Sequence, residues 1–341
     1  MSESFCSFLS CAAQDPVLAL TVLLTLAVVL VNGWTDAPNA IATVVSTGGL
    51  TFRRAAWLAA GCNLLGTLVM TGVSPAVAET LYSIAGFGGS GRQALSALCA
   101  ALCAIVLWAV LAWRFGVPTS ESHALVAGVT GAALAMPGGA ANLNAGAWVR
   151  VLLGLLLSVL LGWLCGAGWS RLLSRRGRRR SFRRAQIAGS AAMAFLHGAQ
   201  DGQKFIGIFL LGTALAGGGP GRFAVPLWPA LLCAGVMALG TRIGGRRIIE
   251  TVGRDMTALS PRSGFAADLG GGCVLLLCTL LGLPVSTTHA KTAAILGAGR
   301  EDGGWVDRTV VRSVGTAWLL TFPCCGGLGF LLARVFLLFS L

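Results

Sequence analysis

Asn32-Gly33-Trp34-Thr35-Asp36-Ala37-Pro38-Asn39-Ala40-Ile41 aligns with His197-Gly198-Ala199-Gln200-Asp201-Gly202-Gln203-Lys204-Phe205-Ile206, and Asp201 follows Asp36 by 165 positions. A second pair keeps nearly the same interval. Gly116-Val117-Pro118-Thr119-Ser120-Glu121-Ser122-His123-Ala124 aligns with Gly282-Leu283-Pro284-Val285-Ser286-Thr287-Thr288-His289-Ala290, with His289 following His123 by 166. Two separate motifs at nearly the same offset report an internal duplication.

Both motifs sit in apolar surroundings. Val17–Val31, Ala55–Val73, Ala94–Trp113, Val149–Gly168, Phe223–Leu239, Gly270–Leu283 and Val314–Leu332 are long apolar runs. Several reach the roughly 20 residues a helix needs to cross hydrocarbon. The 341 residues are 55% hydrophobic and only 11% charged, against about 25% charged in soluble domains. One integral membrane domain in the cytoplasmic membrane follows.

The formal charge of +13 does not point to nucleic acid, because the arginines punctuate apolar runs and form no stripe with aromatics. They report topology instead. Arg53 and Arg54, the eight arginines between Arg171 and Arg184, the group Arg242–Arg262 and the group Arg300–Arg312 mark loops that should be cytoplasmic. The start of the chain lacks a basic stretch and carries Glu3 and Asp15, so it does not read as a cleavable signal and should lie outside. The eleven cysteines fall mostly inside apolar runs and read as small buried hydrophobes, with no metal-like Cys/His cluster.

These features predict an all-α membrane protein of two inverted-topology repeats, residues 1–170 and 185–341, joined by a basic cytoplasmic linker, 171–184. An odd number of crossings per half turns the second half upside down, and such repeats place the transport site between them near the midplane. The motifs read as interruptions. Val17–Val45 spans about 43 Å as a helix, longer than a ~30 Å core, and Gly33 and Pro38 can break it. Pro118–His123 and Pro284–His289 read as tips of re-entrant helical hairpins. Ala94–Trp113 and Gly270–Leu283 would be their first arms, Ala124–Met136 and Ala290–Gly299 their second. A complete crossing ending at Arg114 is the alternative for the first.

Asp36 and Asp201 carry the strongest functional signal. An acid inside an apolar helix is costly and marks function by default, although one alone can serve as a structural counter-charge; two at equivalent positions favour function. Buried carboxylates hold protons or cations, or donate hydrogen bonds when protonated. Asn39 offers an amide, and Ser120, Ser122, Ser286, Thr287 and Thr288 offer hydroxyls. Helices that begin at these Ser/Thr groups present free N–H groups to an anion, while the same residues also serve as ordinary N-caps. Asn32, Glu121, His123, Gln200, Lys204 and His289 are candidates for ion coupling or gating. Lys204 and Lys291 are the two lysines of the chain. Lys204 and Glu121 are expected to approach each other across the repeat interface in at least one transport state, with Glu121 reaching solvent at the hairpin tip and Lys204 paired to Asp201 or Asp36 as the alternative.

Asn32–Ala40, His197–Asp201, Pro118–His123 and Pro284–His289, with the stretches Gly240–Gly253 and Ser260–Gly264, resemble the PiT family of inorganic phosphate transporters. The resemblance implies a homodimer in which aspartates, an asparagine and hairpin hydroxyls bind phosphate and coupling ions. Many members have Asn before each aspartate, where this chain has Thr35 and Gln200. Lys204 stands for a frequent Asn and Glu121 for a frequent Ser or Thr. With fewer neutral oxygen ligands and a lysine as tethered cation, the expectation is a proton-coupled phosphate symporter, with a metal–phosphate complex as one form of its cargo. Sodium coupling or sulfate transport on the same fold, and an anion channel, are the alternatives. No nucleophile–base pair or metal cluster outranks the transport motif, so neither an enzyme nor a resident cofactor is expected.

Overall fold

The computed structural model describes residues 5–115, 119–175, 182–217 and 223–339, with the side chain of Arg247 outside that description. Residues 116–118, at the front of the first hairpin motif, and residues 176–181 of the basic linker lie outside the described residues. Every regular element among the described residues is helical.

A short helix α1 (Phe5–Gln14) leads into α2 (Pro16–Thr35), which Asp15 caps by accepting from Val17 N (2.9 Å) and Leu18 N (3.2 Å). Pro16 at the first position suits a helix start, where no N–H is needed. The same logic breaks the span at its middle: Pro38 opens α3 (Pro38–Ser46), and Asp36-Ala37 is the joint. Next come α4 (Phe52–Val73), the short α5 (Ala76–Tyr82), α6 (Gly91–Arg114), α7 (Glu121–Ala135) and α8 (Ala145–Ser174). The second half repeats this order. Its broken span is α9 (Arg183–His197), a π-helical turn Gly198–Gly202 and α10 (Gln203–Ala216). Then follow α11 (Leu227–Ile243), the short α12 (Arg246–Glu250) with its π turn, α13 (Pro261–Leu280), α14 (Thr287–Glu301) and α15 (Arg308–Phe339).

Among the described residues six stretches are long and apolar enough to cross a bilayer: Pro16–Ser46, Phe52–Val73, Gly91–Arg114, Ala145–Ser174, Pro261–Leu280 and Arg308–Phe339. A bent pair, Leu227–Ile243 with Ile248–Asp255, makes a seventh. On α8 and α15, leucines such as Leu156, Leu160, Leu319 and Leu331 are exposed; on a chain of this length and apolarity such faces meet acyl chains. The protein is a multi-pass membrane protein.

The helix α7 returns beside α6, and α14 beside α13. The mouth of the first hairpin lies at the start of α8, where Asn142 accepts from Gly88 N (3.1 Å) and Asn144 N donates to Ile84 O (3.2 Å). The mouth of the second lies at the other end of α8, where Arg171 pairs with Glu301 (2.8 Å) and Ser260 donates to Asp302 (2.6 Å). The hairpins therefore enter from opposite ends of the molecule. Each is held by the long helix of the other half, α7 against α15 and α14 against α8. Gly131 makes the first crossing possible, because a Cβ there would strike the carbonyl of Gly326; Gly297 does the same against Trp163 in the second. Small residues let membrane helices approach this closely.

The arginines sort by end. Arg183 bonds Gly49 O (3.3 Å), Arg246 and Arg254 flank the α3–α4 turn, and Arg262 pairs with Asp302, all at the α8 C-terminal end. Arg92 and Arg150 lie at the opposite end, beside Asp15 and Glu79 respectively.

Candidate transport site

The breaks in α2–α3 and α9–α10 and the tips of both hairpins converge on one buried polar centre. Its side chains are sealed: Asp36 is 1% exposed, Asp201 0%, Lys204 1% and Glu121 2%.

Each aspartate takes donors from both halves of the chain. Asp36 sits at the unwound joint, its carboxylate accepting from Asn39 Nδ2 (2.8 Å) and from the Thr288 hydroxyl. Asn39 also reaches Thr288 Oγ1 (3.0 Å). Asp201 lies in the π turn and accepts from Asn32 Nδ2 (3.2 Å) and Lys204 Nζ (2.6 Å), with His197 Nε2 3.4 Å away. Thr287 bridges the two acids, its Oγ1 lying 3.1 Å from Asp201 and 3.4 Å from Asp36. One hydroxyl carries one proton, so it serves one carboxylate at a time. A π turn widens the helix at such functional positions; here it falls on the segment that carries Asp201.

Lys204 is enclosed by three oxygens. Its ammonium donates to Asp201 Oδ1 (2.6 Å), Ser122 Oγ (2.6 Å) and the carbonyl of Val285 (2.5 Å). A carboxylate, a hydroxyl and a backbone carbonyl form the donor set that binds a small hard cation. In this structure Lys204 takes Asp201, three residues away on one helix face, and Glu121 does not reach solvent but is buried, its Oε1 accepting from Thr35 (2.7 Å); the expected approach of Lys204 to Glu121 is left to another state of the cycle.

The remaining candidates are spread around this centre. Ser120 and Ser286 cap α7 and α14, accepting from His123 N (3.3 Å) and His289 N (3.2 Å), and so aim both helix N-termini inward. Gln200 donates to Thr279 (3.3 Å) and to Leu283 O (3.2 Å), away from the carboxylates. His123 and His289 meet edge to face with ring centroids 4.4 Å apart, and His289 stacks on Trp318 at 3.6 Å. Several buried polar atoms are unpaired among the described residues: Asn32 Oδ1, Asn39 Oδ1, Glu121 Oε2 and the ring nitrogens of both hairpin histidines.

Asp36, His197 and Asp201 offer ligand atoms within 4.8 Å of one another, an ion-sized grouping that the sequence, searched for clustered Cys and His, does not reveal. Asn63 is another residue the motifs omit; it bonds His197 Nδ1 (3.2 Å) and Thr241 (2.9 Å), tying α4 to α9 and α11. The largest omission is Asp268, buried against Lys291, Thr43 and Ser190. It was detectable by the rule that marks Asp36, an acid within an apolar helix.

Broken helices and paired hairpins around sealed, charged polar groups define a membrane carrier architecture. The sequence profile of the phosphate transporter family matches residues 32–180 and again 174–329. A "probable low-affinity inorganic phosphate transporter" of Bacillus subtilis is 34% identical over 332 residues, covering 93% of this chain and 97% of that protein. A protein of the same description from Rhizobium meliloti is 35% identical over 329 residues, covering 91% and 95%. The solved structure titled "The sodium-dependent phosphate transporter" superposes with a TM-score of 0.84 at 22% identity, covering 94% of this chain and 99% of that one, which shows the fold. The chain belongs to the phosphate transporter family. Its relatives are named for transport and not for an enzymatic reaction.

Proposed function

We propose that this protein carries inorganic phosphate across the cytoplasmic membrane by alternating access, as a symporter whose two inverted repeats enclose the site. The observation that carries the reading is the convergence of Asp36 and Asp201, bridged by Thr287, at the inward-facing starts of α7 and α14. Phosphate bound there receives hydrogen bonds from Asn39, Thr287, Thr288 and the first-turn N–H groups ahead of the capped His123 and His289, which have no acceptor within their own helix. The entry of the hairpins from opposite ends supports the inverted relation of residues 1–170 and 185–341, each hairpin forming the barrier on its own side. The collection of arginines at the α8 C-terminal end supports a cytoplasmic assignment for that end.

Coupling follows from charge. Three buried acids, Asp36, Asp201 and Glu121, face one lysine, and uncompensated charge in such a site costs several kcal/mol. A multiply charged anion adds to the deficit, so phosphate enters only with protons or cations. Lys204 already fills a three-oxygen cage with a tethered positive charge. That favours protons as the mobile coupling ion, delivered to the carboxylates, with phosphate alone or as a metal complex as cargo. The Asp36–His197–Asp201 grouping supports sodium coupling as the second reading, since it is the right size for an ion. The functional unit is a homodimer.

Uptake of radiolabelled phosphate into proteoliposomes under imposed proton or sodium gradients, with sulfate as competitor, tests this. Accumulation driven by the proton gradient in sodium-free medium is the expected result. Accumulation that requires sodium supports the second reading, and single-channel currents or preference for sulfate would overturn the assignment.

A further inference from the structure

A second charged site lies one helical turn beyond the transport site, and nothing in the proposed cycle uses it. Lys291 follows Thr287 by four residues and Thr288 by three on α14, so it sits just below them toward the arginine-rich end. Its ammonium pairs with Asp268 of α13, and both are fully buried. Asp268 also accepts from Thr43 Oγ1 (2.8 Å) and Ser190 Oγ (2.8 Å). Among the described residues Asp268 is the one hydrogen-bond acceptor of Lys291, which leaves two of its three N–H donors for a guest.

The site is part of a polar file. Asn39, Thr43 and Thr47 recur every fourth residue along one face of α3 and its end. Asn39 touches the central site, Thr43 touches Asp268, and Thr47 donates to Gln186 Oε1 (2.8 Å), whose amide returns to Thr43 O (3.1 Å). Arg183, one turn before Gln186, bonds Gly49 O at the surface.

The duplication supplies a control inside the same molecule. At the offsets of 165 and 166, the equivalents of Thr43, Asp268 and Lys291 on the opposite side of the centre are Ile208, Leu102 and Leu125. All three are buried in an apolar cluster. The equivalent of Ser190 is Thr25, a hydroxyl that bonds back to Thr21 O (2.8 Å) in its own helix, so one side of the centre is closed without charge and the other by an ion pair between hydroxyls. Packing alone is met by leucines at the equivalent positions, and a buried pair is at best a neutral replacement for them. The difference calls for a ligand of opposite charge to Lys291.

We propose that Lys291, Thr43 and Ser190 form a second oxyanion station on the cytoplasmic side, held shut by Asp268, through which phosphate leaves the central site. The proposal rests on the phosphate reading above. An oxyanion released from Thr287 and Thr288 moves one turn along α14 and takes the Lys291 ammonium and the two hydroxyls from Asp268, whose carboxylate takes up a coupling proton so that no unpaired negative charge is left beside the anion, and gives it up when the anion leaves. Its departure re-forms the Lys291–Asp268 pair and closes the file. Before the anion arrives, the carboxylate keeps the lysine neutralised.

The test compares phosphate transport from each face, using right-side-out and inside-out membrane vesicles that contain the full-length chain. In Lys291→Gln the half-saturating phosphate concentration at the cytoplasmic face is expected to rise roughly tenfold or more, as for loss of a charged hydrogen bond, with less than about a twofold change at the outer face. Lys291→Arg is expected to restore most of the cytoplasmic affinity. Monodisperse elution in detergent reports folding. If Lys291→Gln does not fold, the double variant Asp268→Asn with Lys291→Gln, which leaves no unpaired charge, carries the same expectation. An unchanged cytoplasmic half-saturation, or equal shifts at both faces, overturns the station while leaving phosphate transport intact. Wild-type vesicles that move no phosphate from either face overturn the phosphate reading and the station with it.

Discussion

Replacing Lys204 by Asn tests the tethered cation directly. The wild-type ammonium makes three short hydrogen bonds, to Asp201, Ser122 and Val285 O, in a fully buried cage. Asn is too short to keep these bonds and carries no charge. Asp201 then retains Asn32 and Thr287 as donors but loses its counter-charge. Removing one partner of a buried pair costs about 3–5 kcal/mol, which corresponds to a fall of roughly a hundred- to a few-thousand-fold in turnover if the loss appears in the transport cycle. A sodium ion of the same charge fits the vacated oxygen cage better than it fits the intact one. The expected outcome in proteoliposomes is near-abolished phosphate uptake by Lys204→Asn in choline medium and partial recovery in sodium medium, with the wild type indifferent to sodium. A folded Lys204→Asn protein that transports at the wild-type rate without sodium would refute the reasoning, as would a wild type that needs sodium.

Asp36→Asn and Asp201→Asn should each abolish accumulation while eluting as folded protein, and wild-type uptake by either removes that acid from the mechanism. Gly131→Ala should destabilise the α7–α15 crossing, because its methyl meets the Gly326 carbonyl and backbone cannot rotate away. Overpacking of this kind costs about 1–3 kcal/mol, read as a lower thermal midpoint in detergent, whereas Gly315→Ala, in open space within α15, should hold or raise it, since Ala is the better helix former. At the mouth of the second hairpin, burial pushes Asp302 up, but hydrogen bonds from Ser260 and Arg262 outweigh it and hold the carboxyl below its usual range. A group depressed on folding stabilises above its unfolded value, near 3.9, and loses that contribution as pH falls through the folded value. The thermal midpoint of Asp302→Asn should therefore lie below wild type from pH 5 to 8, with the gap closing below about pH 4; a gap that persists undiminished in acid would refute the assignment.

Much of this molecule was legible in the chain because its strongest constraints are local. Apolar length fixes which segments span, since lipid offers no partner to an exposed backbone. Pro38 fixes the first break, since it supplies no N–H. Asp36 and Asp201 stand out because charge in hydrocarbon is costly, and the constant offset of two motifs exposes the duplication. The Lys204–Asp201 pair also lies within local reach, three residues apart.

Tertiary structure decided the rest, wherever a side chain finds its partner across the two hairpins. Glu121 meets Thr35, 86 residues away, and not Lys204. Thr287 bridges Asp201 of its own half to Asp36 of the other, while Ser120 and Ser286, alike in sequence, turn back to cap their own helices. Asp268 and Lys291 became a site only when α13 folded beside α14 and brought Thr43 and Ser190 to the same carboxylate. Sequence determines where polar groups must be hidden, because that cost is paid residue by residue; which groups compensate one another depends on helices that cross from opposite ends, and that geometry exists only in the packed fold.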